Sequence, residues 1–170
     1  LNIASKLKVK TLVIVHKGFL LEQWIERIKQ FLPNAKIGRI QGQIIDIEDK
    51  DIVIGMLQSL SMKDYPTSLF SSFGLTIVDE VHHIAAEVFV RSLFTVVTKY
   101  VLGLSATMQR KDGLTKVFKM FLGDIVYKEK QNSNLNVLVN LHYFDTNDDE
   151  FKEDVLDYRG QVQYSSMITK

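Results

Sequence analysis

Short apolar runs, rich in β-branched residues, alternate along this chain with stretches whose apolar positions recur every three or four residues. The first pattern predicts buried strands and the second amphipathic helices. Residues 1–7 read as the last turns of a helix, and residues 10–16 (Lys-Thr-Leu-Val-Ile-Val-His) as a buried strand. From Phe19 to Phe31, apolar residues at Leu20, Leu21, Trp24, Ile25, Ile28 and Phe31 continue to Leu32 at helical spacing, and Pro33-Asn34 stops them. Residues 36–40 predict a short strand, 41–51 a polar loop or hairpin, 51–55 a buried strand and 56–62 a short helix. Residues 63–72 are turn-rich around Pro66. Leu75-Thr76-Ile77-Val78 predicts a strand ending on two adjacent acids. Residues 85–98 predict a helix with Val88, Phe89, Leu93, Val96 and Val97 inward, and residues 100–104 a strand running into Ser105-Ala106-Thr107. A helix over 112–121 ended by Gly123, a strand over 124–128 and an edge strand over 137–144 complete the pattern, with a polar linker at 131–136. Beyond Asp145 the chain is acidic, then polar, with no core face.

Strands alternating with helices imply an α/β fold: a parallel sheet with right-handed crossovers, Rossmann-like or P-loop-type, over residues 10–128. A chain of 170 residues, 46% hydrophobic and 24% charged, is long enough for one domain with a real core. No cysteine is present, which removes disulfides and cysteine-zinc sites, and no apolar run approaches the roughly 20 residues of a membrane span. The net charge of +1 is uninformative, but its distribution is polar: eight Lys/Arg against two Glu before residue 45, and seven acids against one Lys over 145–157. The start, Leu1-Asn2-Ile3-Ala4, looks like the middle of a helix, so the chain reads as part of something longer.

The chemistry concentrates at strand ends. In open parallel sheets ligands bind at the carboxyl edge, and Asp79 and Glu80 fall there. Two adjacent acids are costly to bury without a partner. A hydrated Mg²⁺ held by Asp79, with Glu80 orienting or deprotonating a water, supplies one. The competing reading places both acids at the N-terminus of the next helix, where its dipole favours them. His82 and His83 are adjacent rather than four apart, so zinc fits poorly. A hydrogen-bonded coupling role suits His82 better. Ser105 and Thr107 suit a loop that changes partners, or an ST-turn opening a helix. Gln58 and Ser59 open a short helix and could cap it or meet a phosphate. Lys17 and Gly18 offer a cation beside a backbone turn. Arg110, in Arg110-Lys111-Asp112, could reach nucleic acid or be a solvated turn. Trp24 lies on an apolar stripe, which makes it a core residue rather than a base-stacking one.

The order and spacing of these elements carry more than each alone. Asp79-Glu80-Val81-His82 resembles motif II of superfamily 2 helicases of the DExH type, and Ser105-Ala106-Thr107 resembles motif III, both after buried strands. Val13 to Lys17 through Gln23-Trp24 looks like motif Ia, and Gln58-Ser59-Leu60 like the small polar motif that follows it. Residues 101–107 followed by Arg110-Lys111-Asp112 are most similar to the XPB-like branch, which includes helicases of large DNA viruses and motor subunits of type III restriction enzymes. The resemblance implies a three-layer RecA-like (P-loop NTPase) domain that uses ATP and Mg²⁺. Asp79 would be the Mg²⁺ ligand and Glu80 the catalytic base, with His82 also at the nucleotide. His82, Ser105 and Thr107 would couple nucleotide state to movement, while Lys17, Gly18, Gln58, Ser59 and Arg110 would meet nucleic acid. The family's usual Arg-Glu-Asp is Arg110-Lys111-Asp112 here, without the middle acid.

No Gly-x-Gly-Lys-Thr occurs in the chain. The resemblance therefore implies residues 1–130 as a partial first RecA-like domain lacking the P-loop strand. Residues 131–170 would be a linker and entry into a second such domain. The motif III strand, beside which the P-loop strand lies in such sheets, should be an open edge unless residues 124–144 cover it. The expected function is that of an ATP-dependent helicase or translocase fragment acting on DNA, or else RNA, inactive alone. A non-catalytic nucleic-acid binding module and a restriction-enzyme motor are the alternatives. The expected setting is intracellular, cytoplasmic or nuclear, with a viral lineage.

Overall fold

A computed structural model describes residues 1–81, 86–106, 115–129, 140, 154–156 and 160–162. The chain clusters into two units, Leu1–Tyr127 and Lys128–Lys170. The first holds, in order, α1 (Asn2–Leu7), β1 (Thr11–Val15), α2 (Gly18–Phe31), β2 (Ile37–Gln41), β3 (Ile44–Asp46), β4 (Ile52–Met56), α3 (Leu57–Met62), β5 (Leu75–Val78), α4 (Ala86–Thr95), β6 (Tyr100–Gly103) and α5 (Thr115–Leu122). A 3-10 turn at Thr67–Phe70 follows Pro66. In the second unit, the described residues include one antiparallel bridge, Leu156 to Val162, about Gly160.

The six strands form one sheet in the order β3-β2-β4-β1-β5-β6. All neighbouring pairs are parallel except the β2–β3 hairpin. Strand periodicity divides the core into two layers. Leu12 and Ile14 of β1, Val53 of β4 and Val78 of β5 join Leu57 and Leu60 of α3, Leu93 of α4 and Phe118 of α5 on one face. Val13, Val15, Ile52, Ile54, Leu75 and Ile77 join Ala4 of α1 and Leu20, Leu21 and Ile28 of α2 on the other. This is the three-layer α/β arrangement expected from runs apolar on both faces.

Four expectations change. Residues 124–128 are not a strand; Val126 and Tyr127 are exposed. A β-rich segment becomes a strand only against a ladder partner, and none is there among the described residues. Val97 is 75% exposed, because α4 ends at Thr95 before its stripe reaches that position. Phe31, on the predicted stripe of α2, is 60% exposed at the helix's last residue. Gly18 needs no special backbone: it is the first residue of α2 after an extended Lys17. The predicted edge strand over 137–144, apart from exposed Asn140, and the start of the 112–121 helix fall outside the described residues.

β6 pairs with β5 and, among the described residues, with no strand on its other side. Its residues are half-buried or exposed, whereas those of β1 and β5 are all buried. Among the described residues, β6 thus ends the sheet on that side. Residues 124–127 do not add a strand to it.

Below the sheet, Tyr65 packs edge-on to Phe70, with ring centres 5.9 Å apart. Its hydroxyl is buried with no hydrogen-bond partner among the described residues. Burial pushes the Tyr65 phenol above the ordinary tyrosine range. Tyr65→Phe is expected to leave stability at pH 7 unchanged or raise it by up to about 1 kcal/mol. The raised folded-state value means wild-type stability falls as pH rises above about 10, and the variant should lose that component. Thermal unfolding at pH 7 and pH 10.5 checks both.

Candidate functional site

β4, β1, β5 and β6 are parallel neighbours, so their carboxyl ends lie along one edge of the sheet. The register pairs Val15 with Met56, which sets the residues after β1 level with those after β4. Lys17 and Gly18 follow β1 directly, and Gln58 and Ser59 follow β4 directly. The Gln58 amide donates to the His16 carbonyl at 2.8 Å and ties the two loops together. Ser59 Oγ accepts the Gly42 backbone N–H at 2.9 Å, which brings the β2–β3 hairpin turn to the same edge. Lys63 donates to the Gly42 carbonyl and to Gln43 Oε1. Lys17, Gly18 and Gln58 are exposed, and Ser59 is half-buried.

Asp79 extends the β1–β5 ladder by one residue: its N–H donates to the Ile14 carbonyl at 2.9 Å. The chain then turns sharply at Glu80, whose φ of 51° lies in the left-handed region. The turn is laced to the strand beside it. Leu104 N–H donates to the Val78 carbonyl at 2.8 Å, and Val81 N–H donates to the Leu104 carbonyl at 3.1 Å. Half-buried Ser105 follows Leu104, so the acid pair and the first residue of Ser-Ala-Thr are joined through two backbone bonds. The remaining predicted site residues, His82, Thr107 and Arg110, lie outside the described residues.

The Asp79 carboxylate is held twice. Oδ1 accepts the Glu80 backbone N–H at 3.0 Å, and Oδ2 accepts the indole N–H of Trp24 at 2.7 Å. Asp79 and Trp24 both line an open cleft of about 640 Å³, together with Leu1, Ser5, Gln23 and Arg27. Trp24 is the residue that pattern reading missed. Helical spacing put it in the core, and it does pack there in part. A buried indole also needs an acceptor, which was the available signal. That acceptor is 55 residues away in sequence, beyond any local pattern.

Among the described residues, no group of three or more His, Asp or Glu is placed to hold a metal ion. Asp79 and Glu80 are a pair. That donor set fits Mg²⁺, which keeps several waters and takes one or two carboxylates plus phosphate oxygens.

A family model described as the type III restriction enzyme, res subunit (ResIII), matches residues 1–110. The chain belongs to the ResIII family of superfamily 2 helicases. A protein of Acanthamoeba polyphaga mimivirus, provisionally named an ATP-dependent RNA helicase, is 39% identical to this ResIII chain over 148 residues. That match covers 87% of the chain and 28% of the mimivirus protein. A provisionally named helicase of Invertebrate iridescent virus 6 is 36% identical over 140 residues, covering 80% of the chain and 31% of the relative. The ResIII chain thus spans about three tenths of the length of these relatives. In fold it is similar to the UvsW helicase from bacteriophage T4 (TM-score 0.58, 22% identity, 68% of this chain and 43% of that one). It is also similar to the Sulfolobus solfataricus SWI2/SNF2 ATPase core in complex with double-stranded DNA (TM-score 0.54, 18% identity, 72% and 27%). The fold of the first unit is that of a RecA-like helicase domain.

Proposed function

We propose that this chain is most of the first RecA-like domain of an ATP-driven helicase or translocase, residues 1–130, with residues 131–170 leading into a second such domain. The observation that carries the reading is the shared sheet edge. Asp79 and Glu80, Ser105, Lys17 and Gly18, and Gln58 and Ser59 come from four adjacent parallel strands and their following loops.

Asp79 would hold Mg²⁺ with its waters, and the ion, when bound with ATP, would supply charge neutralisation for the transferring phosphoryl group. Asp79 presents a carboxylate already fixed by two donors. Glu80 orients the attacking water and takes its proton. Its left-handed φ of 51° ends the extended run of β5 at that residue. Ser105, with His82 and Thr107, passes the nucleotide state to the nucleic-acid loops. Lys17, Gly18, Gln58, Ser59 and Arg110 meet the phosphate backbone, through charge at the two cations and through neutral donors at the others. DNA is the proposed track, and RNA the alternative.

These 170 residues contain no Gly-x-Gly-Lys-Thr, so they lack the loop that grips the phosphates in this family. ATP hydrolysis is therefore expected only from the longer parent protein, where single- or double-stranded nucleic acid should stimulate it. The 170 residues alone should show no turnover above background. A parent protein that binds DNA or RNA but hydrolyses no ATP would sink the motor reading and leave a binding module. The family description favours one specific variant of the proposal, the motor of a restriction enzyme. Nucleic-acid cleavage by the parent would identify it.

A further inference from the structure

We propose that Trp24 is a positioning residue for Asp79: its indole N–H holds Oδ2 and sets the carboxylate in the orientation that receives the metal ion. The inference rests on the reading of Asp79 as the Mg²⁺ ligand and adds a residue outside the acid pair.

Three observations converge. The contact is short, 2.7 Å, and joins α2 to the carboxyl end of β5. The indole is itself fixed. Trp24 lies one turn from buried Leu20, Leu21 and Ile28 and packs against the core layer that contains them. The second oxygen of Asp79 is bound locally by the Glu80 N–H, so the pair of donors defines the carboxylate plane and not merely its position. Each oxygen keeps acceptor capacity beyond these bonds, and both residues line the open cleft.

The chemistry of the donor matters. An Arg or Lys in this place would also hold the carboxylate, but its charge would compete with a cation for it. Indole is a donor only, neutral at every pH, and cannot titrate. It orders the ligand without spending its negative charge. Groups that orient metal ligands in this way typically contribute about 10- to 100-fold in metal affinity.

The chain contains one tryptophan, so its indole N–H gives a single, assignable ¹H–¹⁵N signal. In the 170-residue chain, Asp79→Ala should move that signal by the loss of a charged acceptor; an unmoved signal means the contact does not exist and overturns the proposal. Mn²⁺ alone, standing in for Mg²⁺, should broaden the indole signal of the wild type, and electron paramagnetic resonance gives its affinity. Trp24→Phe keeps an aromatic ring, smaller than indole, and deletes the donor. It should weaken Mn²⁺ binding about 10-fold while the thermal midpoint stays within about 2 °C of wild type. Wild-type affinity in Trp24→Phe, with binding lost in Asp79→Asn, overturns the positioning role and leaves the Asp79 reading intact. Mn²⁺ binding unaffected by Asp79→Asn, or absent from the wild type, overturns the Asp79 reading and the proposal with it. If Trp24→Phe lowers the midpoint further, 3-benzothienylalanine at position 24, which keeps the bicyclic ring but lacks the N–H, should still weaken Mn²⁺ binding about 10-fold. Wild-type affinity there overturns the proposal in favour of packing alone.

Discussion

Glu80→Gln is expected to lower ATP turnover of the parent protein by about 10²- to 10⁴-fold, the range for removing a positioned general base. Nucleotide affinity should stay within about threefold. Gln has the size of Glu and retains an acceptor, so the neighbours of a half-buried side chain are little disturbed. What it lacks is a site for the water's proton. Glu80 also carries a backbone cost: a non-glycine residue at φ 51° is strained by roughly 1 kcal/mol. Glu80→Gly should therefore fold with equal or greater stability and be as inactive as Glu80→Gln. A stable, inactive glycine variant separates chemistry from folding in one measurement. Turnover of Glu80→Gln within threefold of wild type would remove Glu80 from the mechanism.

Ile14→Ala is expected to destabilise the domain by about 2–5 kcal/mol, the cost of a large-to-small change at a site that cannot collapse. Ile14 is 1% exposed on β1, with β4 on one side and β5 on the other. Its side chain enters the core layer with Leu57, Leu60 and Phe118. Its carbonyl receives the Asp79 N–H, a bond the substitution leaves in place. At roughly 2–4 °C per kcal/mol for a chain of this size, the unfolding midpoint should drop by about 4–20 °C. A drop under 2 °C would show that the layer repacks around the cavity.

The readable parts of this fold are those whose cause is local. Val13-Ile14-Val15 and Leu75 to Val78 are apolar on both faces, and they became central strands with helices above and below. The stripe Leu20, Leu21, Ile28 became the buried face of α2. Errors came where a neighbour decides. Residues 124–128 have strand composition and no partner to pair with among the described residues. Residues 41–51 were open between loop and hairpin, and Ile44–Asp46 became β3 by pairing with β2 across the turn at Gly42.

Sequence by itself determined the strand–helix alternation, the acid pair at the end of β5 and its succession to Ser105, because hydrophobic period and turn residues act over a few positions. Only the tertiary structure decided which ends share an edge, that β3 and β6 end the sheet among the described residues, and that Trp24 reaches Asp79. Those facts depend on strand order and on one helix lying over another strand's end. A period of two or 3.6 residues says which face is buried, but not against what.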